Sequence, residues 1–306
     1  MRAAVVHTPG GVESIELVDV PVPTPGRGEI RIAVAAAGVN PVDLATRRGL
    51  FHDLGVLTPG TPVGLGWEVA GTVDAVGTDV GTFRVGDRVA ALVTDLSAPL
   101  AGYAEYLVVG ADAAATLPDD LELTAAATLP LSALTADQAL TTSGVRAGET
   151  LLVTGAGGMV GGYLVQLAAR QGVEVIALAT DADEPVLREF GARAVLDRDI
   201  DVPAAVRALR PAGVDAVVDA ANIAAPAVDS LRPDGTYVGL LPAFAPTAPR
   251  VHVATVEVRA DGRRLAELAR SGLTARVAEV VPLADVRRAH EIAEKGGLRG
   301  RLVLVP

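Results

Sequence analysis

The first 120 residues alternate runs of valine and alanine with clusters of proline and glycine. Glu29–Val39 (EIRIAVAAAGV) and Ala104–Gly110 (AEYLVVG) have the β-branched composition of strands. Pro21–Gly28 (PVPTPGRG) is typical of turns. Short strands of this kind, separated by turns, predict an irregular β-barrel rather than strands alternating with helices.

From Leu121 onward, after a segment of helical composition, apolar strands alternate with helices. The predicted helices in this part span 158–171 and 183–190. The predicted strands, which are apolar along nearly their whole length, are 150–155, 173–180, 193–197, 214–220 and 235–241. Continuous apolar strands are typical of burial on both faces. The alternation predicts a doubly wound parallel sheet with helices on both sides.

The pattern changes again near residue 250. Val251–Val258 (VHVATVEV) is predicted as a strand, and two helical segments and a closing strand, GRLVLVP, follow it. We find neither an internal repeat nor a low-complexity tail.

Composition and charge narrow the class of protein. The formal net charge is -11, and an acidic surface of this kind argues against nucleic acid as a partner. The chain contains no cysteine, which excludes disulfides and thiolate metal sites. No uncharged apolar run approaches the roughly 20 residues of a membrane span. We therefore expect a cytoplasmic protein without a membrane partner.

The segment Leu151–Gly172 (LLVTGAGGMVGGYLVQLAARQG) concentrates glycine where a predicted strand becomes a helix. Glycine destabilises both elements, so its presence needs another reason. Backbone N–H groups and the helix dipole at such a junction bind phosphate, and glycine permits the tight turn and the close approach of the ligand. The predicted dinucleotide-binding loop consists of Gly155, Ala156, Gly157, Gly158, Met159, Val160 and Gly161. A glycine-rich turn without a ligand is the alternative interpretation.

The end of the second strand of the sheet decides which dinucleotide binds. An acidic residue there holds the adenosine ribose of NAD, whereas this strand ends at Thr180. A small hydroxyl leaves room for a 2′-phosphate, and Arg198 could supply the charge that binds it. Asp181 and Asp183 would repel that phosphate, but an acidic residue at a helix start is more often an exposed cap. The balance predicts NADPH over NADH.

Several segments, in order along the chain, resemble the medium-chain dehydrogenase/reductase superfamily in its zinc-free quinone oxidoreductase branch. They are Ala36–Gly49 (AAGVNPVDLATRRG), Gly64–Gly77 (GLGWEVAGTVDAVG), Val85–Val89 (VGDRV), the glycine loop GAGGMVG and Gly297–Val305 (GLRGRLVLV). The resemblance implies an α/β protein in which a GroES-like β-barrel domain, 1–120 and 255–306, carries an inserted Rossmann doubly wound parallel sheet domain, 121–254. It places the cofactor in a cleft between the two domains. It also suggests cofactor contacts from Asn40, Thr135, Ala220 and Ala221. Leu240 follows a predicted strand at the carboxyl edge of the sheet, where open α/β sheets bind ligands, so it is expected near the nicotinamide.

The resemblance also suggests a site without metal. Zinc-dependent members carry a cysteine and a histidine where this chain has Asn40 and Trp67. If Trp67 packs in the core, Glu68 is expected to be a buried, paired structural carboxylate. The four histidines lack the spacing of ligands and are expected on the surface; they are His7, His52, His252 and His290.

The resemblance implies that Asn40 and Asp43 line the cleft, and Phe51 and Trp67 are two further candidates for the substrate site. Asn40 could donate to a developing oxyanion as the catalytic residue, or could instead cap the helix that follows through Pro41. Asp43 is expected mainly to fix the first helical turn. Phe51 offers a flat stacking surface, and Trp67 is either core or site wall.

The predicted function is an NADPH-dependent, zinc-independent reductase of a quinone or conjugated enone, acting on a small molecule. A nicotinamide-binding redox sensor or structural protein with little turnover is the alternative, because a fold does not establish an activity. A homodimer is expected, through a strand over Val251–Val258 that extends the sheet across a two-fold axis.

Overall fold

The structure is a computed structural model that describes residues 1–58, 60–95, 98–242 and 245–306. The chain forms two compact units. The first unit is Met1–Leu131 with Ala260–Pro306, and the second is Ser132–Arg259. Residues 121–131 therefore belong to the first unit and 255–259 to the second, although the sequence pattern divides the chain at 120 and 254.

The strands follow the valine-rich and apolar runs of the sequence. Their bounds are β1 (Arg2–Val6), β2 (Ile15–Asp19), β3 (Glu29–Val39), β4 (Val63–Gly64), β5 (Glu68–Val76), β6 (Arg88–Leu92), β7 (Tyr106–Gly110), β8 (Ala114–Thr116), β9 (Thr150–Thr154), β10 (Glu174–Ala179), β11 (Ala194–Asp197), β12 (Val214–Asp219), β13 (Leu231–Gly239), β14 (His252–Thr255), β15 (Val277–Pro282) and β16 (Arg301–Val305).

The helices in the described part of the chain are short to medium in length. Their bounds are α1 (Pro41–Arg48), α2 (Leu50–Asp53), α3 (Leu123–Ala126), α4 (Pro130–Ser143), α5 (Met159–Arg170), α6 (Glu184–Glu189), α7 (Val202–Leu209), α8 (Ala225–Asp229), α9 (Gly262–Arg270) and α10 (Val286–Lys295). Of these, none has the length and apolar character needed to cross a membrane.

The second unit is built on a parallel sheet with the strand order β11-β10-β9-β12-β13-β14. Every residue of β9 is buried, as expected for a central strand covered on both faces. Chain order reverses between β9 and β12, because the chain first fills one side of β9 and then the other. Open parallel sheets bind ligands at such a switch point, beyond the carboxyl ends of the strands.

The first unit is built on a mostly antiparallel sheet with the order β15-β16-β3-β5-β6-β8, and β7 also pairs with β3. A second sheet has the order β2-β1-β4. The eleven-residue strand β3 is long enough to pair with three partners, and its side chains help to form one continuous apolar core. Segments from both ends of the chain meet here, because β16 pairs with β3.

Candidate active site

The glycine loop lies where β9 ends and α5 begins. Gly155 has φ +60°, a left-handed conformation that glycine adopts without strain. A Cβ at Gly161 would lie 2.3 Å from the Gly155 oxygen and 2.6 Å from the Ala156 Cα, so glycine there lets the helix pack directly on the loop. Gly158 is the N-cap of α5. The first turn of an α-helix has N–H groups without intrahelical acceptors, and here that turn lies at the switch point of the sheet.

A buried carboxylate holds the neighbouring strand ends in place. Asp219, at the end of β12, accepts hydrogen bonds from Thr154 Oγ1 at 2.5 Å and the Tyr237 hydroxyl at 2.9 Å. It also accepts from the backbone N–H groups of Ile223 and Ala224. Burial, followed by the bond to Asp219, raises the pKa of Tyr237. One side chain therefore links the carboxyl ends of β9, β12 and β13.

The remaining predicted cofactor residues of the second unit occupy different positions. Ala220 and Ala221 directly follow β12, and the Ala221 N–H donates to Thr154 Oγ1 at 3.0 Å. Leu240 directly follows β13 and is half-buried. These three residues share the carboxyl edge of the sheet with the glycine loop, whereas Thr135 lies buried within α4.

The turn after β10 differs from the sequence-based expectation. Asp183 is not an exposed cap: it is 6 % exposed and accepts a hydrogen bond from Thr180 Oγ1 at 2.6 Å. A Cβ at Gly157 would lie 2.6 Å from Asp183 Oδ2, so this carboxylate lies against the glycine loop. The Arg198 side chain is 65 % exposed, with its Nε 3.9 Å from Asp199 Oδ1. Within the described residues, neither a hydrogen bond nor an ion pair joins the Arg198 side chain to the glycine loop.

In the first unit, Asn40 and Asp43 form the start of α1. Asn40 is the N-cap, and Asp43 Oδ2 accepts from the Asn40 N–H at 2.7 Å, as in a capping box. Asp43 Oδ1 accepts from the Gly66 N–H at 3.0 Å. Burial raises the pKa of Asp43 to about 7. Asp43 is fully buried, and its two backbone hydrogen bonds fix the start of α1.

The Asn40 amide is directed into the protein. Its Nδ2 donates to Glu68 Oε1 at 2.9 Å and to the Gly38 oxygen at 3.3 Å, and the residue is 1 % exposed. Both amide protons are therefore engaged, which favours the structural interpretation of Asn40 over the oxyanion donor. With 1 % of its surface exposed, Asn40 also offers little surface for the predicted cofactor contact.

Glu68 is the buried, paired carboxylate that was predicted. It accepts from Asn40 Nδ2 and from the Leu131 N–H, each at 2.9 Å, and the Arg301 Nε lies 3.6 Å from Oε1. Burial raises the pKa of Glu68, and the Arg301 charge opposes this shift. Sequence reasoning missed Arg301. The sequence did carry a signal, because a charged residue begins the otherwise apolar closing strand β16. In the structure this arginine donates to the Val39 oxygen at 3.0 Å.

Phe51 and Trp67 are brought together as a stacked pair. Their ring centroids are 5.6 Å apart, with an angle of 26° between the ring planes. Both residues are half-buried, and Phe51 also packs against the apolar core of the first unit. Trp67 is therefore neither wholly core nor wholly surface. The face of an aromatic ring is the kind of surface on which a planar molecule can stack.

One of the four histidines is not on the surface. His290 is fully buried on α10, with the Tyr103 ring edge-on at 5.9 Å, and burial followed by the Arg47 charge lowers its pKa to about 4. His7 and His252 are exposed, and His52 is half-buried. Within the described residues, no three side chains among His, Asp and Glu converge as a metal site would require.

Two family models match this chain, one mainly within each of its two units. Residues 26–119 match the alcohol dehydrogenase GroES-like domain, and residues 160–260 match the zinc-binding dehydrogenase domain. These matches confirm a GroES-like domain and a Rossmann-like parallel sheet.

Several proteins similar to this chain are named quinone oxidoreductases. A quinone oxidoreductase of Sus scrofa is 36 % identical over 72 % of this chain and 66 % of its own length. The structure of the quinone oxidoreductase from Coxiella burnetii superposes with a TM-score of 0.90 and 28 % identity, covering 100 % of this chain and 99 % of its own. A mycobacterial protein solved in complex with NADPH has a TM-score of 0.85 and 31 % identity, with full coverage of both chains.

The chain spans less than two thirds of the first three curated relatives, between 56 % and 66 % of their lengths. Its likeness to solved structures, in contrast, extends over whole chains. The matched domains, their order and these full-length structural likenesses establish that the chain belongs to the medium-chain dehydrogenase/reductase superfamily, in its quinone oxidoreductase-like branch.

Proposed function

We propose that this protein is a nicotinamide-dinucleotide-dependent reductase that transfers hydride to a quinone or a conjugated enone without zinc. The observation that carries the proposal is the glycine loop at the switch point of a parallel sheet. A side chain at Gly161 would meet backbone, and Gly155 has a positive φ, so the loop is shaped by glycine at both ends. The names of the quinone oxidoreductase relatives and the NADPH complex of a structural neighbour support the same class.

The second unit would hold the dinucleotide by its backbone. The N-terminal turn of α5 supplies N–H groups and a positive helix end for the diphosphate. Ala220, Ala221 and Leu240 follow strands that end at the same edge, so their backbone would border the rest of the cofactor. The rigid bonding around Asp219 would keep these segments in register.

The bound nicotinamide would supply the hydride, and the protein's task would be to position the substrate. The stacked pair Phe51–Trp67 is the surface of the first unit that suits a flat, electron-poor ring. Quinones and enones both fit this description, since each joins a carbonyl to an electron-poor C=C bond.

The chemistry around Glu68 supports a reaction without zinc. The Arg301 guanidinium already compensates this carboxylate, and the Asn40 side chain presents an N–H donor to it. A guanidinium and an amide N–H are not zinc ligands. A dication near Glu68 would have to displace Arg301, which is itself bonded to the Val39 oxygen.

The proposal is tested in two steps with the full chain. Titration with NADH and NADPH should show saturable binding, and either nucleotide should then be oxidised in the presence of benzoquinone or methyl vinyl ketone after dialysis against a chelator. Binding without turnover on any quinone or enone would support the sensor alternative. Loss of turnover on chelation, restored by zinc, would refute the metal-free reaction.

Gly158→Val tests whether the glycine loop binds the dinucleotide. A Cβ at Gly158 meets only the Gly155 oxygen at 3.2 Å, so the fold should survive while the added methyl groups obstruct the diphosphate. Gly81→Val is the matched variant, because its Cβ would enter open space. Equal nucleotide affinity in both variants would contradict the assignment of the loop.

A further inference from the structure

A cavity of about 630 Å³ lies at the amino-terminal edge of the parallel sheet in the second unit. Its lining includes the first residues of β13 and the residues that directly precede β14. This volume is in the range of sites for small organic ligands, about 300–1,000 Å³. The glycine loop follows β9 at the opposite, carboxyl edge of the same sheet, about 17 Å away by the length of a strand. The cavity is therefore separate from the proposed dinucleotide site.

Three arginines from separate segments of the chain line this cavity. They are Arg207 in α7, Arg232 in β13 and Arg250 just before β14. Arg207 Nη2 donates to the Asp229 oxygen at 2.6 Å, which ties α7 to the end of α8. The Asp234 N–H donates to the Arg250 oxygen at 3.0 Å, which ties the turn within β13 to the segment before β14. Backbone contacts therefore hold the three segments together around the cavity.

The Arg232 side chain is fixed in its orientation but not saturated with partners. Its Nε donates to Asp215 Oδ1 at 2.7 Å, and its Nη1 donates to the Pro233 oxygen at 3.1 Å. Asp215 is itself held in place, because it accepts from the Thr150 N–H at 2.8 Å. Among the described residues, Arg232 Nη2 has no acceptor, so its N–H groups remain for a ligand. A donor that is already ordered loses less conformational entropy when it binds.

The lining of the cavity carries a positive excess. Arg250 is exposed, and within the part of the chain that the structure describes its guanidinium makes neither a hydrogen bond nor an ion pair. Asp229 is the acidic residue of the lining, against three arginines. Asp215 and Asp234 lie close to Arg232 but outside the lining. In a chain whose formal net charge is -11, this local excess of cations indicates a site for an anion.

The remaining lining narrows the kind of anion. It includes the apolar side chains of Val228, Leu231 and Val251, which suit a hydrocarbon body. Guanidinium groups bind phosphate oxygens through paired N–H donors. We propose that this cavity binds a phosphate monoester with an apolar body, whose phosphate accepts hydrogen bonds from Arg250 and from Arg232 Nη2. A phosphate monoester carries about two negative charges above pH 7, which suits two arginines better than the single charge of a carboxylate does.

Calorimetric titration of the full chain with phenyl phosphate, in a phosphate-free buffer at pH 8, tests the proposal. We expect saturable binding that is unchanged in Gly158→Val, because the cavity is separate from the glycine loop. Inorganic phosphate should bind at least about tenfold more weakly, since it has no apolar body. Benzoate should also bind at least about tenfold more weakly, since it carries one charge. The absence of saturable phenyl phosphate binding, or its loss in Gly158→Val, would overturn the inference, and equal affinity for benzoate would overturn the choice of a phosphate.

A matched pair of variants assigns the binding to this cavity. Arg250→Gln removes one guanidinium and should weaken phenyl phosphate binding about tenfold. The Arg250 side chain is exposed, so the variant should keep the urea midpoint of the wild type. Arg193→Gln is the control, because Arg193 is also exposed and also precedes a strand of this sheet, β11, at the other end of the strand order. It should leave the affinity unchanged, and equal affinities in the two variants would refute the inference.

Discussion

Neutralising Glu68 should destabilise the first unit strongly. In Glu68→Gln the carboxamide keeps an acceptor for one of the two N–H donors, Asn40 Nδ2 and the Leu131 N–H, that the carboxylate satisfies. The Arg301 guanidinium, with a side chain 9 % exposed, then loses its counter-ion. The reciprocal change, Arg301→Met, leaves the buried carboxylate without its cation.

The size of the effect follows from distance and burial. At 3.6 Å the pair's Coulomb attraction is about 4–5 kcal/mol for an effective dielectric constant of about 20. Removing one partner of a buried pair costs about 3–5 kcal/mol, because the other charge stays buried. The double variant Glu68→Gln/Arg301→Met should recover most of the loss, since a buried pair often contributes little net stability.

The protein has a convenient reporter for this experiment. Its single tryptophan, Trp67, precedes Glu68 and stacks on Phe51, so tryptophan fluorescence during urea unfolding follows the first unit. The free energy of unfolding is extracted from the midpoint and the slope. Both single variants should unfold at clearly lower urea concentrations with unchanged slopes.

An exposed ion pair of the same unit is the control. Arg288 and Glu279 have side chains 54 % and 39 % exposed, and Glu279→Gln should change stability by less than about 1 kcal/mol. A loss in Glu68→Gln no greater than in this control would refute the argument. Additive losses in the double variant would equally show that the two charges do not act as a pair.

Four other outcomes are expected. Burial raises the pKa of Asp43 from 3.8 to about 7, so the stability that its protonated form contributes is complete below pH 3.8 and is lost as the pH rises through 7. Asp43→Asn should flatten the curve of stability against pH between these values. An unchanged slope would contradict the shift. Gly161→Ala should lower stability by about 1–3 kcal/mol despite alanine's helix propensity, whereas Gly81→Ala should be neutral; a stabilised Gly161→Ala would disprove the close packing. Phe51→Ala should raise KM for a quinone severalfold without changing nucleotide affinity, and an unchanged KM would remove the aromatic pair from the substrate site. Size-exclusion chromatography at micromolar concentration should give a homodimer, with a monomer as the contradicting result.

The parallel sheet could be predicted because its signals are local. The apolar run 150–155 corresponds to β9 (Thr150–Thr154), and the predicted helix 158–171 corresponds to α5 (Met159–Arg170). The predicted strand Glu29–Val39 has the same first and last residues as β3. Glycine, valine and alanine carry this information in consecutive residues, so no distant contact is needed to interpret them.

The chemistry around the predicted site residues was harder to read, because it depends on side chains far apart in the chain. Nothing near Asn40 indicates that its amide turns toward Glu68, whose cation comes from Arg301. Asp183 looked like an ordinary helix cap, since its burial depends on the return of β10 to the glycine loop. His290 was expected at the surface for the same reason: a single histidine on an amphipathic helix does not reveal which face packs inward.

The position of β16 bears on how the protein is made. This strand lies inside its sheet, between β15 and β3, and the ribosome synthesises it after every residue of the second unit. Until β16 is synthesised, the part of the β3 edge that pairs with it stays unpaired and Glu68 lacks its cation Arg301. The parallel sheet of the second unit can already assemble at that stage. Translation that stalls before Arg301 would leave a complete parallel-sheet unit joined to a first unit that lacks β16, and the unpaired edge of β3 would expose this intermediate to chaperones and proteases.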